Sequence, residues 1–281
     1  MKSTNLSIFA ILTTIFLGAI SFPGLVYLMR GNWLFAVVAI LIYVALLGGV
    51  MYLLIWLKTK GRNDGFGFKE IALLLLFLIL SAGSFIPIFH FFNLEFEVKT
   101  VLQNKGRGLV EEFTKLEDRF NSEKETALTN LRMEMFNRGA SEDEIEGAQD
   151  AVAAGLDKAM NDNKSTLGSV EEDGIVIETW DRRRLYQAFY NLQLRFEEHL
   201  KNLENAFKSS STLKEYDLNK FGYEQQVKVD KNVISDPRIL WRDYEVSYIV
   251  PLSIWLFFFV LILLPYFLAN RGELRGKYVH H

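Results

Sequence analysis

The sequence predicts a mainly α-helical membrane protein with four transmembrane helices and one inserted, mostly helical soluble domain. Four blocks of the 281-residue chain contain no Asp, Glu, Lys or Arg. Each approaches or exceeds the roughly 20 apolar residues that cross a hydrocarbon core of about 30 Å. The charged residues lie between these blocks, and residues 94–245 separate the third from the fourth. Within this separating segment, Leu and Phe recur at helical spacing, which favours a helical bundle or a coiled-coil-like domain.

The four apolar blocks predict helices because a backbone in lipid must satisfy its own hydrogen bonds. Their approximate bounds are Ser7–Met29, Trp33–Leu57, Ile71–Phe92 and Val246–Leu268. The first block has features of a signal peptide, but its apolar run is too long for a typical signal core, so we expect a retained span. The predicted domains are residues 1–93 with three spans, residues 94–245 as the soluble domain, and residues 246–281 with the fourth span and a short basic tail.

Basic residues beside the spans predict the orientation. Lys2, four basic residues in the loop from Lys58 to Lys69, and three in the tail from Arg271 to Lys277 fall on one side, whereas only Arg30 falls on the other. The positive-inside rule then places both termini in the cytoplasm and residues 94–245 in the periplasm, as expected for a multi-pass protein of a bacterial inner membrane. The soluble domain holds 31 acidic and 22 basic residues, a net charge of −9. That charge disfavours nucleic acid as a partner.

The soluble domain is expected to contain three main helices. Leu109, Phe113, Leu116 and Phe120 give the first helix an apolar stripe, and Gly139 follows its end. Ser141 with Glu144 three residues later predicts a capping box at the start of the second helix. We also expect a short strand over Gly174–Thr179, because Ile175, Val176 and Ile177 favour extended structure.

The third helix has the most regular stripe in the chain. Its apolar residues recur at spacings of three and four, as in a helical-bundle or coiled-coil seam: Leu185, Phe189, Leu192, Phe196, Leu200, Leu203 and Phe207. The matching stripes predict that the first and third helices pack along each other. We also predict that this seam, together with Trp241 in the segment leading into the last span, forms the interface with partner subunits.

The sequence contains no recognisable catalytic motif, and we expect no enzymatic activity and no cofactor. The chain lacks cysteine, and His90, His199, His280 and His281 show neither HxxxH nor HExxH spacing, so no metal site is predicted. His90 and His199 are interpreted as packed or interfacial histidines. The acidic run from Glu142 to Glu146 is explained by its place at the start of a helix.

Three classes of function fit this layout. A structural or assembly subunit of an envelope complex, bound to inner-membrane and periplasmic partners and to copies of itself, is favoured by the Leu/Phe stripes. A receptor that senses a ligand outside the cytoplasm is the alternative, although only a short loop and tail would carry its output. A channel or transporter component is disfavoured, because such proteins usually keep ionisable groups within the membrane.

The chain has three spans, a helical domain over residues 94–245, a fourth span and a short basic tail. This layout, the chain length and the lack of cysteine resemble the TssN family. Proteins of this family are inner-membrane components of the type VI secretion systems of Bacteroidetes. The resemblance covers the whole chain and rests on layout, so it assigns no individual residue. It implies a subunit that helps anchor a contractile injection apparatus.

Overall fold

The computed structural model describes residues 3–60, 67–162 and 164–271. Part of the basic loop, residues 61–66, and the tail with Arg275, Lys277, His280 and His281 lie outside the described residues, as does Lys2. The described residues form helices and contain no strand. They divide into two compact units: a span unit of residues 1–99 and 232–281, and an inserted unit of residues 100–231.

The helices, in chain order, have the following bounds: α1 Ser3–Leu28, α2 Trp33–Lys60, α3 Phe68–Gly83, α4 Phe85–Phe92, α5 Lys99–Asn137, α6 Glu142–Asp162, α7 Lys164–Glu178, α8 Leu185–Ser209, α9 Ser211–Glu215, α10 Pro237–Asp243 and α11 Ile249–Leu268. A π-helical segment, Asn93–Val98, lies between α4 and α5, and a short 3₁₀ helix, Lys231–Ile234, precedes α10.

Four helices of the described chain are long and apolar enough to cross a membrane, as the sequence predicts. The third predicted span is divided between α3 and α4. The division falls at Ser84, whose hydroxyl donates to the carbonyl oxygen of Ser81 at 2.6 Å. Pro87 follows three residues later and has no N–H to give to the helix ladder. These two residues explain why one apolar block forms two helices.

The span unit packs α1 against α2, α4 and α11. Its core is formed by apolar side chains such as Leu17, Leu47 and Phe77, which are almost fully buried. The outward faces are also apolar; Leu41, Ile79 and Phe267 are each more than 60% exposed. An apolar exterior around an apolar core is what a bundle that lies in lipid requires.

At Gly24, α1 approaches the backbone of α4 closely. A Cβ atom there would lie 1.8 Å from the carbonyl oxygen of Pro87. Because that neighbour is backbone, α1 and α4 could not keep their present spacing with any larger residue at this position. Glycine is therefore required by packing here.

The inserted unit contains α6 to α9 and nearly all of α5. The predicted capping box is confirmed: the Glu144 carboxylate accepts from the Ser141 N–H and hydroxyl, both at 2.8 Å. The first and third predicted helices, α5 and α8, contact each other through phenylalanines, as predicted. The ring centroids of Phe113 and Phe196 lie 5.3 Å apart.

The predicted strand over Gly174–Thr179 is wrong, because Gly174–Glu178 form the last turns of α7. Local β propensity is overridden by packing. In the helix Val176 and Ile177 are buried, and Ile177 lies against Gly106 of α5, where a Cβ would meet its side chain at 2.7 Å. Of these three apolar residues, Ile175 is the exposed one.

We predict that Gly24→Ala lowers the thermal unfolding midpoint of the full chain in detergent, because the added Cβ separates α1 from α4. Overpacking of this kind costs about 1–3 kcal/mol. Gly49→Ala in α2 is the matched control, since its Cβ would meet no atom within 4 Å. Equal midpoints for the two variants would contradict this packing.

Candidate functional site

The predicted seam of α8 lies in the core of the inserted unit. Leu185, Phe189, Leu192, Phe196, Leu203 and Phe207 are fully buried, and Leu200 is half-buried. Phe207 contacts Phe120 of α5 edge to face at 5.3 Å. These side chains therefore contact other residues of the inserted unit. Their role in binding another subunit stays a prediction.

Residues beyond α8 complete this core. The Phe221 ring stacks on Phe207 at 5.4 Å and contacts Phe120 at 5.7 Å. Tyr223 lies 5.9 Å from Phe196. The helical stripe could not reveal these two residues, because they lie in an irregular segment where no period of 3.6 applies.

Ionisable side chains also lie in the same core. The Glu112 carboxylate is fully buried and accepts a hydrogen bond from the Tyr223 hydroxyl at 2.6 Å. Burial and this carboxylate both raise the pKa of Tyr223. Sequence periodicity missed Glu112 because its charge marks it as a surface residue. Its burial is compensated by the Tyr223 hydroxyl, by the Gln226 N–H at 3.4 Å and by the Lys115 ammonium at 3.8 Å.

His199 is buried on the other side of Phe113. Its ring lies nearly parallel to that phenylalanine, with centroids 6.2 Å apart. Neither ring nitrogen has a hydrogen-bond partner among the described residues. Burial lowers the pKa of His199 below its usual value of 6.5. The histidine is packed, in line with the sequence interpretation.

A second polar cluster holds one end of the span unit, and we call it the Glu70 cluster. Glu70, at the start of α3, is 5% exposed and accepts hydrogen bonds from the Tyr266 hydroxyl and from Arg271 at 3.0 Å. Lys58 donates to the carbonyl oxygen of Tyr266 at 2.6 Å, near the end of α11. A cation suits these carbonyls, because the last turn of a helix lacks internal donors. The cluster connects α2, α3 and α11.

A third cluster, at Asn93, joins the π-helical segment to the start of the last span. The Asn93 side chain accepts from the Ser247 N–H at 2.7 Å and donates to the Ser247 carbonyl oxygen at 3.0 Å. Nearby, the Tyr27 hydroxyl donates to Glu95 at 2.6 Å. The π-helical segment thus directs Asn93 to Ser247 and Glu95 to Tyr27. Segments of this kind often occur at functional positions.

Trp241, the remaining predicted interface residue, lies in α10 and is 49% exposed. One side of its ring contacts Phe89 at 5.4 Å and Tyr248 at 6.4 Å. His90 stabilises the same region, because its Nε2 lies 2.8 Å from the carbonyl oxygen of Ile234. Trp241 is thus held in place while about half of its surface stays free.

The inserted unit also exposes apolar side chains that periodicity did not single out. Met133 and Phe136, in the last turns of α5, are 53% and 69% exposed. They are three residues apart and share one helix face. At the same end of α5, the Arg138 guanidinium lies 4.2 Å over the Tyr216 ring. Met, Arg and aromatic residues are the types enriched in protein interfaces.

A groove of about 490 Å³ runs between α6, α8 and α9. Small and polar side chains line it, including Gly155, Ala159, Asn202 and Ser210. Its volume falls within the range of small-molecule sites, although its lining is less apolar than theirs. Among the described residues, no three His, Asp or Glu side chains converge on a common point that could hold a metal ion.

We predict that His199 makes the chain less stable at acid pH. The pKa of His199 in the folded chain lies below its value of about 6.5 in the unfolded chain. As the pH falls below about 6.5, the unfolded chain therefore binds this proton more tightly than the folded chain does, and the free energy of unfolding decreases. His199→Leu should therefore lose less thermal stability between about pH 7.5 and pH 5.5 than the unsubstituted chain does. An unchanged pH dependence in the variant would rule out this contribution.

No protein-family model, curated protein or solved structure matches this chain. Its function is therefore inferred from the contacts, burial and charges of its own residues.

Proposed function

We propose that the chain is a non-enzymatic assembly subunit of an envelope-spanning complex in a bacterial inner membrane. Both termini lie in the cytoplasm in this proposal, and residues 94–245 lie in the periplasm, in accord with the basic residues beside the spans. Four helices able to cross a membrane support the anchoring role. The resemblance to the TssN family extends the proposal to a type VI secretion scaffold that anchors a contractile apparatus.

The observation that carries the proposal is the exposed apolar pair Met133 and Phe136. Single exposed apolar residues are common on soluble proteins, and alone they need no explanation. Here two large side chains share one face at the end of α5. Burying such a pair against a partner removes apolar area from water and stabilises the complex. Phenylalanine and methionine are enriched in protein interfaces.

Trp241 offers a second contact on the span unit. Its ring is fixed by Phe89 and Tyr248, so little side-chain entropy would be lost when a partner covers the free side. The partners proposed are other inner-membrane and periplasmic subunits and further copies of this chain. The net charge of −9 over residues 94–245 favours partners with neutral or basic surfaces.

The proposal predicts that Phe136→Ser weakens complex formation without unfolding the chain. A tagged full chain is purified from its native host in mild detergent, and co-purifying proteins are quantified by mass spectrometry. Loss of a hot-spot side chain should lower partner recovery by about tenfold or more. Ile175→Ser is the matched control, because Ile175 is 61% exposed on α7. Unchanged recovery with Phe136→Ser, or an equal loss with both variants, would contradict the proposal.

The groove between α6, α8 and α9 favours a second candidate function, a receptor with an extracytoplasmic sensing domain. A ligand in the groove would contact Gly155 and Ala159, which leave space beside α6. A small molecule that raises the unfolding midpoint of the full chain, but not of an Ala159→Trp variant, would support this candidate. Stoichiometric envelope partners without any such ligand would favour the assembly subunit.

A further inference from the structure

An apolar groove opens on the surface of the span unit between α1, α4 and α11. It encloses about 470 Å³, and its walls include Pro23, Phe92 and Phe257. Ser253 contributes the one hydroxyl of this lining. If the spans lie in a bilayer, this groove faces lipid, because α1, α4 and α11 belong to the apolar bundle.

A second hollow of about 300 Å³ adjoins the first at Phe92 and is bordered by polar as well as apolar residues. Phe92 lines both hollows, while Asn93, Glu97 and Ser247 line only the second. Along α11 the two hollows extend from Val250 to Phe258, which is about 12 Å at 1.5 Å per residue. One leaflet of a hydrocarbon core about 30 Å thick is of similar depth. The combined groove therefore runs from a polar end into the apolar depth of one leaflet.

The polar end carries an available negative charge. Glu97 is exposed and forms no ion pair within the described residues. The neighbouring carboxylate, Glu95, is already occupied by the Tyr27 hydroxyl and lies 3.8 Å from the Lys99 ammonium. The Ser247 backbone is bound to Asn93, which fixes the residue beside the polar end. A ligand with a cationic group and an apolar tail complements this arrangement.

We propose that the groove binds a phospholipid with an ethanolamine headgroup. One acyl chain lies between α1, α4 and α11, and the headgroup ammonium pairs with the Glu97 carboxylate. The ammonium of ethanolamine is a hydrogen-bond donor, whereas choline offers no N–H and glycerol no positive charge. The inference goes beyond the assembly role and does not depend on it; it requires only that the span unit lies in a bilayer.

The size of the groove favours an acyl chain over a partner helix. A helix with its side chains is about 10 Å across, so a 12 Å length of it needs roughly 900 Å³. The two hollows that span this length hold about 470 and 300 Å³, which together is less than a helix needs. An extended hydrocarbon chain is much narrower than a helix and needs no internal hydrogen bonds. It can fill the groove without moving α11.

The test is lipid analysis of the purified full chain. The protein is reconstituted in nanodiscs with equal parts of phosphatidylethanolamine, phosphatidylcholine and phosphatidylglycerol, extracted in mild detergent, and its bound lipids are counted by native mass spectrometry. We expect phosphatidylethanolamine to be enriched about threefold over phosphatidylglycerol. Ser253→Trp, which fills the groove, should remove the bound lipid, whereas Ala72→Trp on an exposed face of α3 should not.

Glu97→Gln keeps the groove intact and tests the headgroup pairing separately. This variant should retain a bound lipid but lose the preference for ethanolamine, whereas Glu111→Gln in the inserted unit should keep it. Bound lipids that match the bulk mixture in the unsubstituted chain would overturn the proposal. So would unchanged lipid binding by a folded Ser253→Trp variant, or a photo-cross-linker at Phe257 that captures a protein instead of lipid.

Discussion

The fourth span is held in the bundle by side-chain contacts rather than by a short loop. The chain leaves the span unit after Lys99 and returns only at Asn232, so connectivity alone places few limits on α11. Its two ends are fixed by Asn93 on Ser247 and by the Glu70 cluster. Between them, the Trp255 indole donates to the carbonyl oxygen of Ser81 at 2.8 Å. Among apolar helices, these few polar contacts supply the specificity that apolar packing alone lacks.

The inserted unit depends on a different constraint, the interlocking of aromatic rings between α5 and α8. Phe113 contacts Phe196 and Phe120 contacts Phe207 edge to face, and Phe221 stacks on Phe207. Glu112 is accommodated because Tyr223 and Gln226 supply donors, whereas burial lowers the pKa of His199. Because the stripe of α8 is buried in this core, the surface proposed for partners is Met133 and Phe136 on the inserted unit and Trp241 on the span unit.

Much of this architecture follows from the sequence because hydropathy and helical spacing are local signals. The four spans, the α8 stripe and the Ser141 capping box are of this kind. Glu70 was missed because it lies one residue outside the apolar block, and its partner Arg271 is distant in sequence. The strand expected over Gly174–Thr179 is largely helix, because Ile177 packs against Gly106 of α5. The sequence does not reveal that Phe136 is exposed either, because an apolar residue in a helix pattern is normally read as part of the core.

The attachment of α11 can be tested directly, because the natural chain contains no cysteine. Asn93→Cys and Ser247→Cys are introduced together, and membranes that carry the full chain are treated with a mild oxidant or a short thiol-reactive linker. The Asn93–Ser247 contact predicts a cross-linked peptide in most molecules by mass spectrometry, and none with either cysteine alone. Failure of the double variant to cross-link, with both thiols still reactive, would contradict the docking of the fourth span described here.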